Sequence, residues 1–178
     1  MKKIILSLFA FGAFALVNSC SSDPCKDKTA TTLCNGKGTL VSNTNSCDCS
    51  CNEGYTGSDC SSLISSVFVG SYSCVEVGDK SGSSSYVATM TPNTALTKMN
   101  MKNLWNQFVN NAVFSVSGSN ITMSLQEPDA DKFFVQNGTG TWSKNASGKV
   151  VIKMSYEVVD NTGSAAVTDK VTATWTQL

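Results

Sequence analysis

The sequence predicts an all-β protein in which a small, disulfide-rich module precedes an eight-stranded antiparallel meander that closes as an up-and-down barrel. Six of the eight cysteines fall between residues 25 and 60. From residue 67 onward, apolar and polar side chains alternate with the period of two that is typical of strands with one buried face. Clusters of Gly, Asn, Asp and Ser interrupt this alternation where strands should reverse. A β-sandwich is the alternative that the same pattern allows.

Residues 1–19 are predicted to be an export signal. Lys2 and Lys3 give a positive start, and an apolar run follows from residue 4 to residue 17. This run is shorter than the roughly twenty residues that span a bilayer about 30 Å thick. A positive start before a short apolar run is instead typical of a secretory signal. We therefore expect an exported protein.

The residues at the end of this signal resemble the lipobox of bacterial lipoproteins. They read Val17-Asn18-Ser19-Cys20, a branched residue and two small ones before a cysteine. The resemblance implies a mature chain that begins at Cys20, carries palmitate-type acyl chains and is anchored in the cell envelope, with the outer membrane as the expected location. Several acyl chains together anchor stably. Residues 20–24 would be a short tether. The alternative is an ordinary cleaved signal that leaves Cys20 as a structural cysteine.

Residues 25–60 are too few to fold on a hydrophobic core alone. Cross-links can offset the chain entropy of such a segment, and disulfides persist only outside a reducing cytosol. Six cysteines allow fifteen pairings. Closely spaced cysteines can also bind zinc, but only as free thiolates, which an exported protein would not keep. We expect disulfides and no metal.

The second half of this segment resembles an EGF-like domain. The pattern is Cys-x-Cys-x-x-Gly-Tyr-x-Gly-x-x-Cys, and it runs from Cys49 to Cys60. The resemblance implies that the first cysteine pairs with the third, the second with the fourth and the fifth with the sixth: Cys25–Cys47, Cys34–Cys49 and Cys51–Cys60. Calcium-binding members carry an acidic residue, then Asp or Asn and Glu or Gln, just before the first cysteine. Ser22-Asp23-Pro24 does not supply that set, so we predict no calcium site.

After a linker at residues 61–66, the β domain is predicted to occupy residues 67–178. The first strand would turn Phe68, Gly70, Tyr72 and Cys74 inward, and the second Tyr86, Ala88 and Met90. Further strands are expected at residues 95–102, 112–117, 120–126, 132–144, 149–160 and 167–177. Residues 103–111 interrupt the pattern, with apolar residues spaced for one or two helical turns that could plug one end of a barrel: Leu104, Trp105, Phe108 and Val109.

Two short motifs resemble lipocalin-like (calycin) barrels. Val69-Gly70-Ser71-Tyr72 opens the first strand with the Gly-x-aromatic pattern, and residues 138–142 read Gly-Thr-Gly-Thr-Trp. The resemblance implies a closed barrel, and a barrel removes the exposed strand edges of an open sheet. It implies no particular ligand, so the ligand-binding residues are unknown.

Composition argues against catalysis and against nucleic-acid binding. The chain has thirteen basic residues, all lysine, and no histidine. Without Lys2 and Lys3, eleven basic residues face thirteen acidic ones, a net charge of −2. A Ser-His-Asp or Cys-His site cannot be built, and no basic cluster suits phosphate. The one acidic cluster, residues 127–131, is expected to be a solvated hairpin tip, and Cys74 a small buried hydrophobe. We predict a protein that is not an enzyme and needs no cofactor.

Three functions are compatible with these features. The first is a surface lipoprotein that binds an unknown protein or glycan partner, or acts in adhesion. The second is a lipocalin-like carrier of a small apolar ligand, and the third is a hydrolase inhibitor or envelope scaffold. A set of large side chains could line a ligand cavity, but in a barrel of eight strands they are expected to fill the core: Met90, Met99, Met101, Met123, Met154, Trp105, Trp142 and Trp175.

Overall fold

The structure, a computed structural model, describes residues 23–129 and 132–178. The predicted signal peptide and the lipidation site Cys20 lie outside these residues. None of the helical segments that the structure describes has the length and apolar character of a membrane span.

The cysteine-rich segment folds as two small antiparallel ladders and one helical turn. Its elements are a helix, α1 (Ala30–Leu33), and the strands β1 (Gly38–Ser42), β2 (Cys47–Cys51), β3 (Tyr55–Thr56) and β4 (Ser62–Leu63). Strand β1 pairs with β2, and β3 pairs with β4. Three disulfides join the segment, and they are the pairs that the EGF-like resemblance implies: Cys25–Cys47, Cys34–Cys49 and Cys51–Cys60.

The alternating sequence that follows forms a closed antiparallel barrel, as predicted. Its strands are β5 (Gly70–Gly78), β6 (Gly82–Pro92), β7 (Lys98–Lys102), β8 (Ala112–Ser117), β9 (Asn120–Met123), β10 (Gln126–Asp129), β11 (Phe133–Lys144), β12 (Val150–Asp160) and β13 (Val167–Gln177). Neighbouring strands pair in chain order, and β13 pairs with β5 to close the barrel. Strands β9 and β10 both pair with β11, so together they occupy one of the eight strand positions.

Three details of the predicted strands differ in the structure. Phe68, expected in the first strand, lies in a 3₁₀ turn, Ile64–Phe68, that leads into the barrel. The predicted strand at residues 120–126 is interrupted after Met123, and its second part continues to Asp129. Residues 61–66 contain β4 and the start of the 3₁₀ turn, and Ser65 is buried, so this segment is packed rather than a free linker.

The barrel interior is filled with large side chains, as expected from the methionine and aromatic positions. Trp175 and the five methionines of the predicted set are buried in one cluster, and Trp105 and Trp142 pack against it. Cys74 faces inward, is buried, and has no disulfide partner among the described residues. Phe68 packs edge-on against Phe114 and Trp142, with ring centroids 6.3 and 5.0 Å apart.

The two ends of the barrel differ. At one end, here called the module end, the β6–β7, β8–β9 and β11–β12 connections face the disulfide module. A cleft of about 310 Å³ there is lined both by module residues around Gly54 and by barrel residues around Gly118. The opposite end, here called the loop end, carries the β5–β6, β7–β8, β10–β11 and β12–β13 connections. None of the described module residues lines the recesses at the loop end.

Gly54 and Gly36 provide a test of the packing between the module and the barrel. Both adopt left-handed φ angles, +88° and +68°, but a Cβ atom on Gly54 would lie 2.8 Å from the Leu96 Cβ, whereas one on Gly36 would contact nothing within 4 Å. We expect Gly54→Ala to lower the free energy of unfolding by about 1–3 kcal/mol more than Gly36→Ala, because both share the backbone cost and only the first is overpacked. Urea unfolding of the oxidised protein measures the difference, and equal losses would contradict the contact.

Candidate functional site

Two acidic side chains lie inside the barrel near its loop end, and the sequence analysis missed both. Glu76 is 1% exposed and Asp169 is 2% exposed. Glu76 shares the inward face of β5 with Cys74, which was predicted to face inward, and Asp169 shares the inward face of β13 with Val171. The period-two pattern therefore contained the signal, since every second residue of a strand points to the same face.

The carboxyl group of Glu76 is held by three donors on one oxygen. Its Oε1 accepts hydrogen bonds from the hydroxyl of Tyr86 at 2.7 Å, the hydroxyl of Tyr156 at 2.8 Å and the indole Nε1 of Trp175 at 2.9 Å. Its Oε2 is buried and has no hydrogen-bond partner among the described residues. Because an unpartnered buried carboxylate oxygen is costly, this environment disfavours the charged form.

The titratable groups in this cluster are shifted mainly by burial. Burial raises the pKa of Glu76, and the nearby Asp169 charge raises it further, although the three hydrogen bonds oppose the shift. Burial and the neighbouring Glu76 raise the pKa of the Tyr86 and Tyr156 hydroxyls. Burial also raises the pKa of the Cys74 thiol to about 12. A thiol with such a pKa is not a nucleophile at neutral pH.

Asp169 holds the β5–β6 turn in place. Its carboxylate accepts hydrogen bonds from the backbone N–H groups of Lys80 at 2.9 Å and Ser81 at 3.2 Å. A Cβ atom on Gly78 would lie 2.2 Å from an oxygen of this carboxylate, so only glycine permits the approach. Glu76 and Asp169 are thus both enclosed and both bonded to the protein, which suits a structural role for the pair.

The buried cluster reaches the loop end through Tyr86. The Tyr86 hydroxyl donates to Glu76 and accepts a hydrogen bond from the backbone N–H of Trp105 at 2.7 Å. Trp105 belongs to a 3₁₀ turn, Leu104–Asn106. Left-handed φ angles occur at Asn103 just before the turn, 66°, and at Trp105 and Asn106 within it, both 54°. Such angles are unfavourable for residues other than glycine, and they persist where the surroundings fix them.

This turn corrects the prediction for residues 103–111. Leu104 and Phe108 are buried and plug the barrel, as expected, whereas Val109 points outward and is 74% exposed. Trp105 lies between these extremes and packs edge-on against Phe133, with ring centroids 5.6 Å apart. The segment is a single 3₁₀ turn followed by an irregular loop with bends at residues 109 and 110, because the left-handed residues break a regular helix.

An open groove crosses the loop end. It consists of two recesses, of about 590 and 340 Å³, that share Gln107, Phe133 and Thr162 as lining residues. We call this surface the loop-end groove. Its remaining wall residues include Trp105, Val109 and Asn110.

Hydrogen bonds fix the loops around this groove. The Asp129 carboxylate accepts from the backbone N–H groups of Val109 at 2.6 Å and Asn110 at 3.1 Å, and from the Asn110 side chain at 2.7 Å. Asp160 accepts from the N–H and hydroxyl of Thr162 at 2.8 and 2.6 Å. The prediction of a solvated acidic tip is therefore wrong for Asp129, which is half-buried and joins the β7–β8 and β10–β11 connections.

The cysteines that the sequence singled out lie away from this groove. All six are in the disulfide module, which adjoins the opposite end of the barrel. Within residues 23–129 and 132–178, no cluster of three or more acidic, cysteine or histidine side chains is arranged to hold a metal ion. What the groove offers instead is aromatic, amide and hydroxyl chemistry.

No protein-family model matches the chain, and no curated protein matches it significantly.

The raised pKa of Glu76 predicts a pH-dependent stability. Between the ordinary pKa of 4.5 and the higher value in the folded protein, the folded state keeps a proton that the unfolded chain releases. Stability should therefore fall as pH rises through this window, by up to about 1.4 kcal/mol per pH unit. Glu76→Gln, which cannot ionise, should remove this fall.

Urea unfolding at a series of pH values from about 4 to about 8 measures the effect. Glu127→Gln makes the same chemical change at an exposed site and serves as the control. Parallel stability curves for the wild type and Glu76→Gln would contradict the prediction.

Proposed function

We propose that this chain is a non-catalytic lipoprotein of the bacterial cell envelope that binds a partner at the cell surface through the loop end of its barrel. The observation that carries the proposal is the difference between the two barrel ends. One end packs against the disulfide module, and the other presents the loop-end groove of about 590 and 340 Å³. Loops on a rigid scaffold are a common location for binding residues.

The filled interior favours surface binding over the carriage of an apolar ligand inside the barrel. The space between the strands is occupied by buried methionine, tyrosine, phenylalanine and tryptophan side chains. Small-molecule sites usually enclose about 300–1,000 Å³. Recesses of this size are found in the open groove at the loop end, whereas the barrel interior is filled with side chains.

The predicted anchor would hold the protein by its module. Asp23 accepts hydrogen bonds from the Cys25 N–H at 2.9 Å and the Ser42 hydroxyl at 2.7 Å, which ties the first described residue to the module. Asp23 is three positions after Cys20 in the sequence, so an acylated Cys20 could lie no more than about 11 Å away. The loop end, which the module does not cover, is then free to meet a partner.

The disulfide pairing supports an EGF-like character for the module. The three bonds follow the order that the EGF-like pattern implies, and Gly54 and Gly57 adopt the left-handed φ angles expected at its turns, +88° and +98°. Such a module would act as a rigid spacer, because its ladders and cross-links leave little freedom. The closed meander is likewise consistent with a lipocalin-like barrel.

Exchanging Val109 for a charged residue tests the role of the loop end. Val109 is 74% exposed beside the groove, and Val75 is 53% exposed on the outer wall of β5. We expect Val109→Arg to reduce the adhesion of beads coated with the full chain by at least about fivefold, because a bulky cation would obstruct a groove-bound partner. The beads would be tested on intact cells, immobilised mucin and peptidoglycan.

Val75→Arg is the matched control and should leave adhesion unchanged. Equal adhesion by both variants and the wild type would remove the loop end from the proposal. Native mass spectrometry that found a small apolar molecule retained by the purified protein would favour a carrier instead.

The anchor itself is tested by Cys20→Ser. We expect the wild-type protein to sediment with membranes and to have a mature N-terminus at acylated Cys20, and the variant to lose both properties because serine offers no thiol for acylation. Membrane fractionation and mass spectrometry of the mature protein measure this. Cys74→Ala removes the buried cysteine instead and should remain membrane-bound, while a mature N-terminus elsewhere would contradict the lipoprotein assignment.

A further inference from the structure

We infer that the loop-end groove is a carbohydrate site that takes a neutral sugar ring. The inference rests on the proposed surface-binding function and names the chemical class of its partner. Three observations support it. They are the aromatic pair Trp105 and Phe133 at the groove, the amide and hydroxyl groups around that pair, and the hydrogen bonds through which the nearby carboxylates hold the loops.

The aromatic pair offers partly exposed apolar surface to a ligand in the groove. Trp105 and Phe133 are half-buried, line the groove together, and are fixed against each other with ring centroids 5.6 Å apart. A pyranose ring has a face of C–H groups that packs on an aromatic ring. Aromatic side chains lose little conformational entropy on binding because they have few rotatable bonds.

Amide and hydroxyl groups surround this apolar surface. Gln107 is exposed between the two recesses, and its side chain makes no hydrogen bond within residues 23–129 and 132–178. Ser84 and Asn106 line the recess beside Trp105. An amide carries both donors and an acceptor, and a hydroxyl can act as either. This matches a sugar, whose hydroxyl groups each donate and accept.

The charged groups of the groove favour a neutral ligand. The Asp129 carboxylate is occupied by three hydrogen bonds from Val109 and Asn110, and that of Asp160 by two from Thr162. These carboxylates hold the loops, and within residues 23–129 and 132–178 neither belongs to a cluster of three or more acidic side chains that could bind a metal cation. Lys132 alone is a weak match for an anionic ligand, since tight anion binding uses several donors.

The groove is also held in shape before any ligand arrives. The Trp105 N–H is bonded to the Tyr86 hydroxyl, and Tyr86 is bonded to the buried Glu76. The Asn103 side chain donates to the Val87 carbonyl at 2.9 Å. These contacts maintain the left-handed backbone of the turn, and a preformed site avoids the entropic cost of ordering loops on binding.

A peptide that adds a strand is a poorer match. Strand addition needs an open sheet edge, and the barrel closes through β13 and β5. Beside β8, the Gln126 side chain of β10 accepts a hydrogen bond from the Val113 N–H and donates one to the Val113 carbonyl, both at 2.6 Å. Residues 82–88 of β6 pair with β5 alone, but the Leu104–Asn106 turn lies against this stretch, and the Asn103 side chain occupies the Val87 carbonyl. The side chains of the groove are a better match for a sugar.

Titration of the full chain in detergent micelles with neutral oligosaccharides tests the inference. The probes are hexasaccharides of glucose, mannose, galactose, xylose and N-acetylglucosamine, with an acidic hexagalacturonate for comparison. We expect at least one neutral probe to bind with a micromolar to millimolar dissociation constant by calorimetry. Trp105→Ala should weaken this binding about tenfold, and Gln107→Ala about threefold, since it removes one hydrogen bond.

Trp142→Ala and Gln136→Ala are the matched controls. Trp142 is half-buried at the module end, and Gln136 is exposed and does not line the groove. Both should bind as the wild type does. Thermal unfolding checks that Trp105→Ala is folded, and Gln107→Ala supplies the test at an exposed residue if it is not.

The outcomes separate this inference from the proposed function. If no neutral probe binds, or if the acidic probe binds more tightly, the assignment to a neutral sugar is overturned. Should Val109→Arg still abolish adhesion in that case, the proposed function stands with a different partner. If sugar binding persists in both groove variants, the site is elsewhere. If neither sugar binding nor an effect of Val109→Arg is found, both proposals fail.

Discussion

The pairing of the first and last barrel strands is the constraint on which the rest of the structure depends. Seven residue pairs join β13 to β5, from Val171 opposite Gly78 to Gln177 opposite Tyr72. This pairing satisfies the backbone groups that an open sheet would expose, and it encloses an interior that eight strands make just wide enough for side chains. Methionine and aromatic residues fill that interior, so binding must use the barrel ends rather than its axis.

Closure also explains why a carboxyl group can be kept inside. Glu76, Tyr156 and Trp175 come from three different strands, and only the closed barrel brings them into contact. The same cluster continues through Tyr86 to the backbone of Trp105. These hydrogen bonds favour one arrangement of the side chains they join, although Glu76 Oε2 has no partner among the described residues. The shape of the loop end is therefore coupled to the packing beneath it, although the groove itself lies at the surface.

Much of the barrel could be predicted because alternation and turn residues are local signals. The predicted strands at residues 112–117 and 167–177 match β8 and β13 to the residue. The site could not be predicted as well. Whether Trp105 forms a helical turn or a left-handed one depends on Tyr86, a partner nineteen positions away in the sequence. Asp129 looked solvated because its partners, Val109 and Asn110, lie in another connection. Glu76 was missed although its position in the alternation marked it as inward.

The order in which contacts can form follows from their separation along the chain. The three disulfides join cysteines 22, 15 and 9 residues apart, whereas the Glu76–Trp175 hydrogen bond spans 99 residues. Closing a long loop costs more entropy and delays folding. The amino-terminal module can therefore acquire its structure as soon as residue 63 is available, while the barrel must wait for β13 near residue 177. Truncation near that terminus would leave the module intact and the strands of the barrel exposed to aggregation.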